Sequence, residues 1–489
     1  MGTLGQQRTA LGSPVRVVEN PIHLGANVRI TPQARYYALA ELSRRAGVPA
    51  DFFRSWKVSM TREKTVIEIS NGTSKFISFP HASATQLKNL AAGQFSYLLV
   101  PSMTYPDGLG AGVPNCVIPF VETTAARLSP LFHLENPNHL ECTVDLPLSI
   151  LLTLSRWEEL LDTPRDAHGR FQAKNSIAAS GGFFDRPIVD EYGLAFEHAM
   201  QLLYPSWKKT ERKLRVKISH DADHIGIPFR WKTAVRHAVL SHAPLNSIRD
   251  VMSVLGRSDP SELKSIRDIT LASIKHGLSS AVYWKAGPPG PTDSGYDPHH
   301  KKVRAMMDWL REMGAESGVH PGYATFRSPE KLRREVMVLK GVLGDQPIGG
   351  RQHYLRWCPE TWIDWENCGL AYDSSVGFAE TVGFRAGTCV PYRPWLFALN
   401  RQADLIEIPL LVMDRALIAY MGLPKDQALH EVMKLVTRCR AAGGVFTVLW
   451  HNNTFLESNY RETYLDLLKH LEGGDTYDWH SDSTPYSQQ

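Results

Sequence analysis

The stretch LRVKISHDADHI, residues 214–225, says most about the fold of this chain. Its first six residues have a β-strand pattern, and the strand runs directly into two carboxylates, Asp221 and Asp223. In an extended segment alternate side chains share a face, so the two aspartates project together while His220 and His224 point elsewhere. Neighbouring carboxylates repel each other, which favours a bound cation or one raised pKa. The alternative is a loop whose aspartates cap a helix.

Six further candidate strands follow this stretch, and helical patterns separate most of them. The strands are SSAVYW (279–284), AESGV (315–319), PIGG (347–350), LAYDS (370–374), LIEIPLLVM (405–413) and GVFTVLW (444–450). The helical patterns include HKKVRAMMDWLREMG (300–314) and KDQALHEVMKLVTRCRAAG (425–443). Alternation of strands with helices of this length predicts βα units and parallel strands, an α/β fold.

The rest of the chain predicts a second, smaller α/β domain in residues 1–207, of unknown role. Short apolar stretches such as TVIEIS (65–70) alternate there with helical ones, notably an amphipathic pattern over 146–162. The cluster Asp185, Arg186, Asp190 and Glu191 is interpreted as a charge-rich loop that enters a helix. KKTERK (208–213) is a linker candidate before the larger domain, 212–472. We expect a basic, largely helical insertion at 228–276 and a polar, frayed tail at 473–489.

The composition of the 489 residues excludes several classes of protein. With 54 Lys and Arg against 50 Asp and Glu the net charge is +4, which argues against a dedicated nucleic-acid-binding protein. The six cysteines form no close-spaced pair, so neither a zinc knuckle nor a redox dithiol is indicated. No secretory signal and no transmembrane segment is apparent, which predicts a soluble, cytoplasmic protein.

Ionisable residues follow nearly every predicted strand. In parallel βα architectures the active site forms at the carboxyl ends of the strands. Besides Asp221 and Asp223, these ends carry His320, Arg351, His353, Asp373, Asp414 and His451. Such a concentration of His and Asp predicts a single polar site.

The residues alone leave the role of each side chain open. Asp223, His320 and His353 would supply one carboxylate and two imidazoles, a set suited to zinc or another divalent transition metal. A lone histidine is, however, more often a structural hydrogen-bonding residue. His451 could act as a general acid or could be a structural histidine bonded to Asn452. Arg351 could orient a carboxylate such as Asp221, contact substrate, or form a surface salt bridge.

Taken in order, the strand-end motifs resemble those of the polysaccharide deacetylases, the NodB-like carbohydrate esterases. They are most similar to a bacterial branch, encoded with surface-polysaccharide genes, that has an additional amino-terminal domain. The matching motifs are SHDADH (219–224), GVHPGY (318–323), RQHYLR (351–356), YDSSVGFAETVGFRAGTC (372–389) and VLWHN (448–452). FFDRPIVDEYG (183–193) and LPLSILLTLSRWEE (146–159) resemble the amino-terminal domain of the same branch.

This resemblance implies a distorted (β/α)7 barrel with a divalent metal, usually zinc. Asp221 falls at the position of the catalytic base, Arg351 at that of the arginine orienting the base, and His451 at that of the acid. Asp223 and His320 match metal ligands, but the family's second motif histidine would fall at Ala324, which cannot bind metal. We expect His353 to replace it. Tyr323, Tyr354 and Asp373 are expected to bind substrate.

The leading hypothesis is therefore a metal-dependent deacetylase that hydrolyses an N-acetyl or O-acetyl group. Its substrate would be an acetylated sugar, a polysaccharide precursor or a nucleotide-sugar, in bacterial surface-polysaccharide synthesis or modification. Because of Ala324, the alternative is a decayed deacetylase that binds glycan or assembles with polysaccharide-synthesis proteins. A third hypothesis retains the metal and hydrolyses another C–N bond. The sequence does not indicate an oligomeric state.

Overall fold

The computed structural model describes residues 16–17, 22–24, 28–71, 73–101, 115–121, 130–227 and 259–482. Four basic residues of the predicted insertion, Arg230, Lys232, Arg236 and Arg249, lie outside these ranges. The described end of that insertion is the helix Ser261–Lys275. No helix of the described residues has the length and apolarity needed to cross a membrane.

The amino-terminal part of the chain, residues up to 207, contains a mixed sheet. Its strands, in spatial order, are Arg16–Val17, Lys57–Met60, Lys64–Asn71, Thr73–Pro80, His139–Cys142 and Phe132–Asn136. Two antiparallel pairs accompany it: Ser96–Pro101 with Asn115–Val121, and Ile22–His23 with Arg29–Ile30. The helices are Pro32–Arg45, Ala50–Arg54, Ala84–Ala91, Leu146–Leu154, Ile177–Gly181 and Ile188–Leu203, with 3-10 turns at Trp157–Leu160 and Ala173–Asn175.

The helix predicted over 146–162 ends early. Leu146–Leu154 is helical, but Arg156 has φ 54° and the chain continues as the 3-10 turn Trp157–Leu160. All nine residues of the helix are buried, so the helix is not amphipathic. A run of apolar residues can belong to a helix that is buried on all sides or to the apolar face of an amphipathic helix, and the sequence does not distinguish the two. The prediction of an amphipathic helix is therefore wrong here.

The carboxyl-terminal part, from residue 212, is built on parallel strands. In spatial order these are Val412–Met413, Val445–Leu449, Arg215–Ala222, Ser280–Trp284 and Glu316–Val319. Parallel bridges at Gly350 then lead from Val319 to Tyr372–Asp373, which pairs with Ile406–Glu407. A short antiparallel pair joins Trp395–Leu396 to Arg401–Gln402.

Helices connect these strands as the βα alternation predicted. They are Ser261–Lys275, Lys301–Glu312, Pro329–Leu343, Pro359–Asn367, Lys425–Ala442 and Ser458–Leu471. Shorter turns lie at Tyr323–Thr325, His353–Leu355, Thr454–Leu456 and Trp479–Asp482, and a π-helix at Ala416–Tyr420. The mixed α/β architecture agrees with the prediction. The hydrogen bonds of the described residues do not close the sheet, so the barrel stays a prediction.

The expectation of a frayed tail is wrong for its first part. Asp475–Thr476 pairs in parallel with the start of the Arg215–Ala222 strand, and Tyr477 and Trp479 are buried. Two large aromatic side chains within a polar segment suffice to fix it, because each buries a large apolar area.

Candidate active site

The carboxyl ends of the parallel strands meet around one open cavity of about 460 Å³. Asp221 and Asp223 lie at the end of the strand Arg215–Ala222. His320, His353 and His451 reach the same cavity from three other strand ends. The structure thus brings together residues that lie up to 230 positions apart in the chain, as the strand-end pattern predicted.

Asp223, His320 and His353 form a compact cluster of donor atoms. The Asp223 Oδ1 atom lies 3.1 Å from Nε2 of His320 and 3.1 Å from Nε2 of His353. One ligand atom from each of the three residues lies within 4.8 Å of the others. Nδ1 of His320 donates to the backbone carbonyl of Arg351 at 2.7 Å, which leaves Nε2 directed at Asp223. Their role as ligands stays a prediction.

Two residues that the sequence argument missed complete this cluster. Asp293 Oδ1 lies 2.8 Å from Nδ1 of His353 and 2.8 Å from Nζ of Lys285. Lys285 Nζ also lies 3.2 Å from Asp223 Oδ1, so a buried ammonium group sits beside the donor atoms. Lys285 directly follows the Ser280–Trp284 strand, so its position at a strand end could have identified it from the sequence. Asp293 lies in a loop away from any strand end, and nothing in the sequence indicates that it belongs to the site.

The electrostatics of the cluster follow from these contacts. Partial burial by itself would raise the pKa of the Asp223 carboxyl, but the charges of His353 and Lys285, with hydrogen bonds from both histidines, hold it well below its usual range. Burial opposes protonation of His353, yet Asp223 and Asp293 together raise the pKa of its imidazole. The site therefore stabilises positive charge beside Asp223.

The second carboxylate, Asp221, is held by Arg351. The Arg351 Nη1 atom donates to Asp221 Oδ1 at 3.0 Å, while its Nε and Nη2 atoms donate to the carbonyl and hydroxyl oxygens of Ser374 at 2.9 and 3.1 Å. Arg351 is fully buried, which excludes the surface salt bridge that the sequence left open. A guanidinium fixed at three points can orient Asp221 toward the cavity.

His451 forms an ion pair with Asp414. Nδ1 of His451 lies 2.6 Å from Asp414 Oδ1, and the backbone N–H of His451 donates to Oδ2 at 2.9 Å. Burial lowers the pKa of the imidazole, but Asp414 outweighs burial and raises the pKa to about 9. His451 is thus protonated near neutral pH, and its Nε2 atom faces Asp223 Oδ2 at 3.6 Å. The partner is not Asn452, whose amide donates to the backbone carbonyls of His224 and Glu262.

The three predicted substrate-binding residues are placed differently. Tyr354 lines the cavity, with φ 60°, and is 37% exposed. Tyr323 lies behind it, with ring centroids 5.3 Å apart. Asp373 is fully buried, and the backbone N–H of Ser375 donates to its Oδ1 atom at 2.9 Å. The structure therefore does not bring Asp373 to the cavity.

A loop of the amino-terminal part reaches the cavity. Arg170 lines it, donating to the Tyr354 carbonyl at 3.2 Å and to Asp166 Oδ2 at 2.7 Å. His168 on the same loop lies 3.1 Å from the Tyr323 hydroxyl through Nδ1, and its carbonyl accepts from Arg356 at 2.7 Å. The segment DAHGRF (166–171) is loosely catalytic in its residue types, but its contact with the cavity depends on packing between distant parts of the chain.

The donor set fits a divalent metal ion. Two imidazole Nε2 atoms and one carboxylate oxygen, with open space in front, are the ligands that such an ion takes in hydrolytic sites. The hydrogen bond at Nδ1 of each histidine is the usual support for a metal-binding imidazole. The ammonium of Lys285 is the feature that opposes the ion.

Comparison with known proteins gives few relatives. A family of unknown function, DUF7033, matches residues 27–205. No curated protein matches the chain. Both results leave the activity to be argued from the site.

Several solved structures are similar to this chain at low identity. A candidate polysaccharide deacetylase from Mycobacterium smegmatis is 13% identical, with 54% of this chain and 85% of that chain covered and a TM-score of 0.37. The allantoinase PuuE is 12% identical, with 56% and 92% covered and a TM-score of 0.38. A candidate polysaccharide deacetylase involved in O-antigen biosynthesis, from Bordetella bronchiseptica, is 15% identical, with 44% and 80% covered and a TM-score of 0.26.

Polysaccharide deacetylases, the superfamily that the motifs resemble, are thus among the solved structures similar to this chain. Structural similarity at these TM-scores does not indicate an activity. The function has to be inferred from the geometry of the cavity.

Proposed function

We propose that this protein is a metal-dependent deacetylase that removes an N-acetyl or O-acetyl group from a sugar of a bacterial surface polysaccharide or its precursor. One observation carries the proposal. A single open cavity is lined by Asp221, Asp223, His320, His353 and His451. Asp223 contacts both His320 and His353, whereas Asp221 pairs with Arg351 and His451 with Asp414. A metal-binding cluster, a separate oriented carboxylate and a protonated imidazole are the parts that hydrolysis of an amide or ester requires.

Asp223, His320 and His353 would hold the metal ion. When bound, such an ion supplies Lewis-acid activation of water and of the acetyl carbonyl. His353 comes from the RQHYLR segment, and its Nε2 atom lies as close to Asp223 as that of His320 does. This distance supports His353 as the replacement for the donor that Ala324 does not provide.

The other residues move protons. Asp221 accepts a proton from the attacking water, and Arg351 keeps its carboxylate aimed at the cavity. His451, protonated through its pair with Asp414, gives a proton to the departing nitrogen or oxygen as the bond to the acetyl carbon breaks. The products are acetate and an amine or alcohol on the sugar.

The test measures acetate release from N-acetylated and O-acetylated sugars by the purified full chain, with zinc and after chelation. We expect Asp221→Asn and His451→Ala each to lower turnover by about 10²- to 10⁴-fold, because each removes one proton-transfer group. The exposed residues Asp308 and His470 provide matched controls, as Asp308→Asn and His470→Ala. Full turnover by both cavity variants would contradict the assigned roles.

A second candidate is a non-catalytic glycan-binding protein that has lost the metal. Lys285 favours it, because its ammonium already lies 3.2 Å from Asp223, and so does Ala324. Metal analysis of the purified chain separates the two functions. A content well below one ion per chain, unchanged by His353→Ala, would support the non-catalytic protein.

A further inference from the structure

The cavity wall has an excess of positive charge outside the metal-binding cluster. Its only acidic lining residues, within the described chain, are Asp221 and Asp223. Both are already engaged, Asp221 by Arg351 and Asp223 by Lys285 and the two histidines. Two more cations, Arg170 and Arg415, line the same cavity.

Arg415 is the cation that lacks a counter-charge. It is exposed, and no acidic side chain of the described residues pairs with its guanidinium. Its backbone is nevertheless fixed beside the proposed acid, because the Arg415 N–H donates to Asp414 Oδ1 at 2.7 Å. The same Asp414 oxygen holds His451. The backbone of Arg415 is thus fixed next to His451, the proposed acid, while its cationic side chain is free to reach a ligand.

Arg170 contacts the short helix that follows Arg415. The π-helix Ala416–Tyr420 begins at the residue after Arg415, and its last residue, Tyr420, lies one wide turn further on. Tyr420 is 52% exposed and lines the cavity, and its hydroxyl lies 3.5 Å from Arg170 Nη2. One exposed tyrosine thus contacts Arg170 and ends the short helix that begins directly after Arg415.

The two arginines differ in what they can offer a ligand. Arg170 shares its charge with Asp166, at 2.7 Å, and is held by the Tyr354 carbonyl. Arg170 therefore forms part of the cavity wall, whereas the charge of Arg415 is available to a ligand. A neutral sugar would leave this charge without a partner, while an anion would form charge-assisted hydrogen bonds with it.

We propose that the sugar substrate carries an anionic group, a carboxylate or a phosphate, that binds at Arg415 with Arg170 as the supporting residue. This inference rests on the proposed deacetylase function and names its substrate class. It also gives the amino-terminal part a role, since Arg170 lies on a loop of that part.

The experiment compares a matched series of sugars on the full chain with zinc. The series is N-acetylglucosamine, N-acetylglucosaminuronic acid, N-acetylglucosamine 6-phosphate and N-acetylglucosamine 1-phosphate. We expect at least one anionic sugar to exceed the neutral one by roughly 10- to 100-fold in kcat/KM, the effect of a charge-assisted hydrogen bond. The carboxylate and the phosphate arms show which anion the site takes.

Variants locate the effect. Arg415→Gln should reduce the ratio of anionic to neutral kcat/KM by roughly tenfold or more, and Arg170→Gln by less, because Arg170 is partly neutralised. The exposed Arg304 on the helix Lys301–Glu312 provides the control, and Arg304→Gln should leave the ratio unchanged. The preference should also fall as ionic strength rises.

Equilibrium binding of the same sugars keeps the two proposals separate. If no sugar of this series releases acetate, N-deacetylation of these sugars is excluded, and titration calorimetry still tests the anion site. Tighter binding of an anionic sugar that depends on Arg415 would then support the site alone. Equal binding of anionic and neutral sugars, or an anionic preference that survives Arg415→Gln, would overturn this inference.

Discussion

Lys285 brings a positive charge into the group of side chains that would hold a metal. Its Nζ atom lies 3.2 Å from Asp223 Oδ1 and 3.1 Å from Nε2 of His353. A divalent ion placed among these donors would be repelled by the ammonium at short range. Lys285 would therefore compete with a metal ion for Asp223 and His353.

Replacing Lys285 should strengthen metal binding. In Lys285→Gln the neutral amide can still donate to Asp293, while the competing charge is gone, so we expect zinc affinity to rise by roughly tenfold or more. Competition with a chromophoric chelator measures the change directly and needs no substrate. Lys331→Gln, on an exposed face of the helix Pro329–Leu343, is the control. An unchanged affinity would show that the ammonium does not compete with the ion, and a lower affinity would show that Lys285 supports it.

At this scale the strand-end rule predicts which residues meet, but not what each one does. Asp221, Asp223, His320, His353 and His451 share one cavity. The same rule also selected Asp373, which is buried behind Arg351. The strand-end rule did not select Asp293, because this loop residue reaches the site only through tertiary packing.

The backbone at Gly350 positions two of the proposed site residues, Arg351 and His353. PIGG was predicted as a strand, and the structure reduces it to bridges at Gly350, between Val319 and Asp373. A Cβ atom at Gly350 would lie 1.8 Å from the Val319 carbonyl oxygen, so only glycine allows the backbones to approach this closely. Arg351 and His353 follow directly.

Gly350→Ala should therefore damage both stability and the site. We expect a loss of roughly 3 kcal/mol in the free energy of unfolding, because the clash is with backbone rather than with a mobile side chain. Zinc binding should weaken as well, since His353 would move. Urea unfolding and metal titration measure the two effects.

Gly341 offers a matched control within the neighbouring helix Pro329–Leu343. A Cβ atom there meets nothing within 4 Å, and Gly341→Ala should stabilise the helix slightly, by about 0.5–1 kcal/mol. Equal stability of the Gly350→Ala and Gly341→Ala variants would contradict the role given to Gly350.

The hydrophobic core of the whole molecule extends across the predicted boundary between the two domains. One hydrophobic cluster runs from Leu24 in the amino-terminal part to Leu405 in the carboxyl-terminal part. A buried ion pair and a buried hydrogen bond cross the same boundary. Glu159 Oε1 accepts from Arg385 at 3.0 Å, and the Cys389 backbone N–H donates to Asp190 Oδ2 at 2.8 Å. Asp190 belongs to the cluster interpreted from sequence as a charge-rich loop, and it is buried. Charge in a sequence does not distinguish a solvated loop from a buried contact between distant segments.

A buried carboxyl group also sets how the stability of the whole chain depends on pH. Asp373 is fully buried; burial raises the pKa of its carboxyl to about 7, although hydrogen bonds from Ser375 oppose the shift. Glu407 lies beside it, and burial with the Asp373 charge raises the pKa of that carboxyl well above its usual range. Between about pH 4 and 7 the folded chain thus retains a proton at Asp373 that the unfolded chain releases.

The free energy of unfolding should consequently fall as pH rises from about 4 to 7, by up to about 1.4 kcal/mol per pH unit from Asp373 alone, and this contribution should level off above pH 7. Asp373→Asn cannot ionise and keeps an oxygen to accept the Ser375 hydrogen bonds, so its stability relative to the wild type should increase from pH 5 to about pH 7 and change little from there to pH 8. Urea unfolding at four pH values in this range measures the difference, with the exposed Asp308→Asn as the control. Parallel curves for the wild type and Asp373→Asn would mean that the Asp373 carboxyl does not retain its proton on folding, and that the fold tolerates a buried charge behind Arg351.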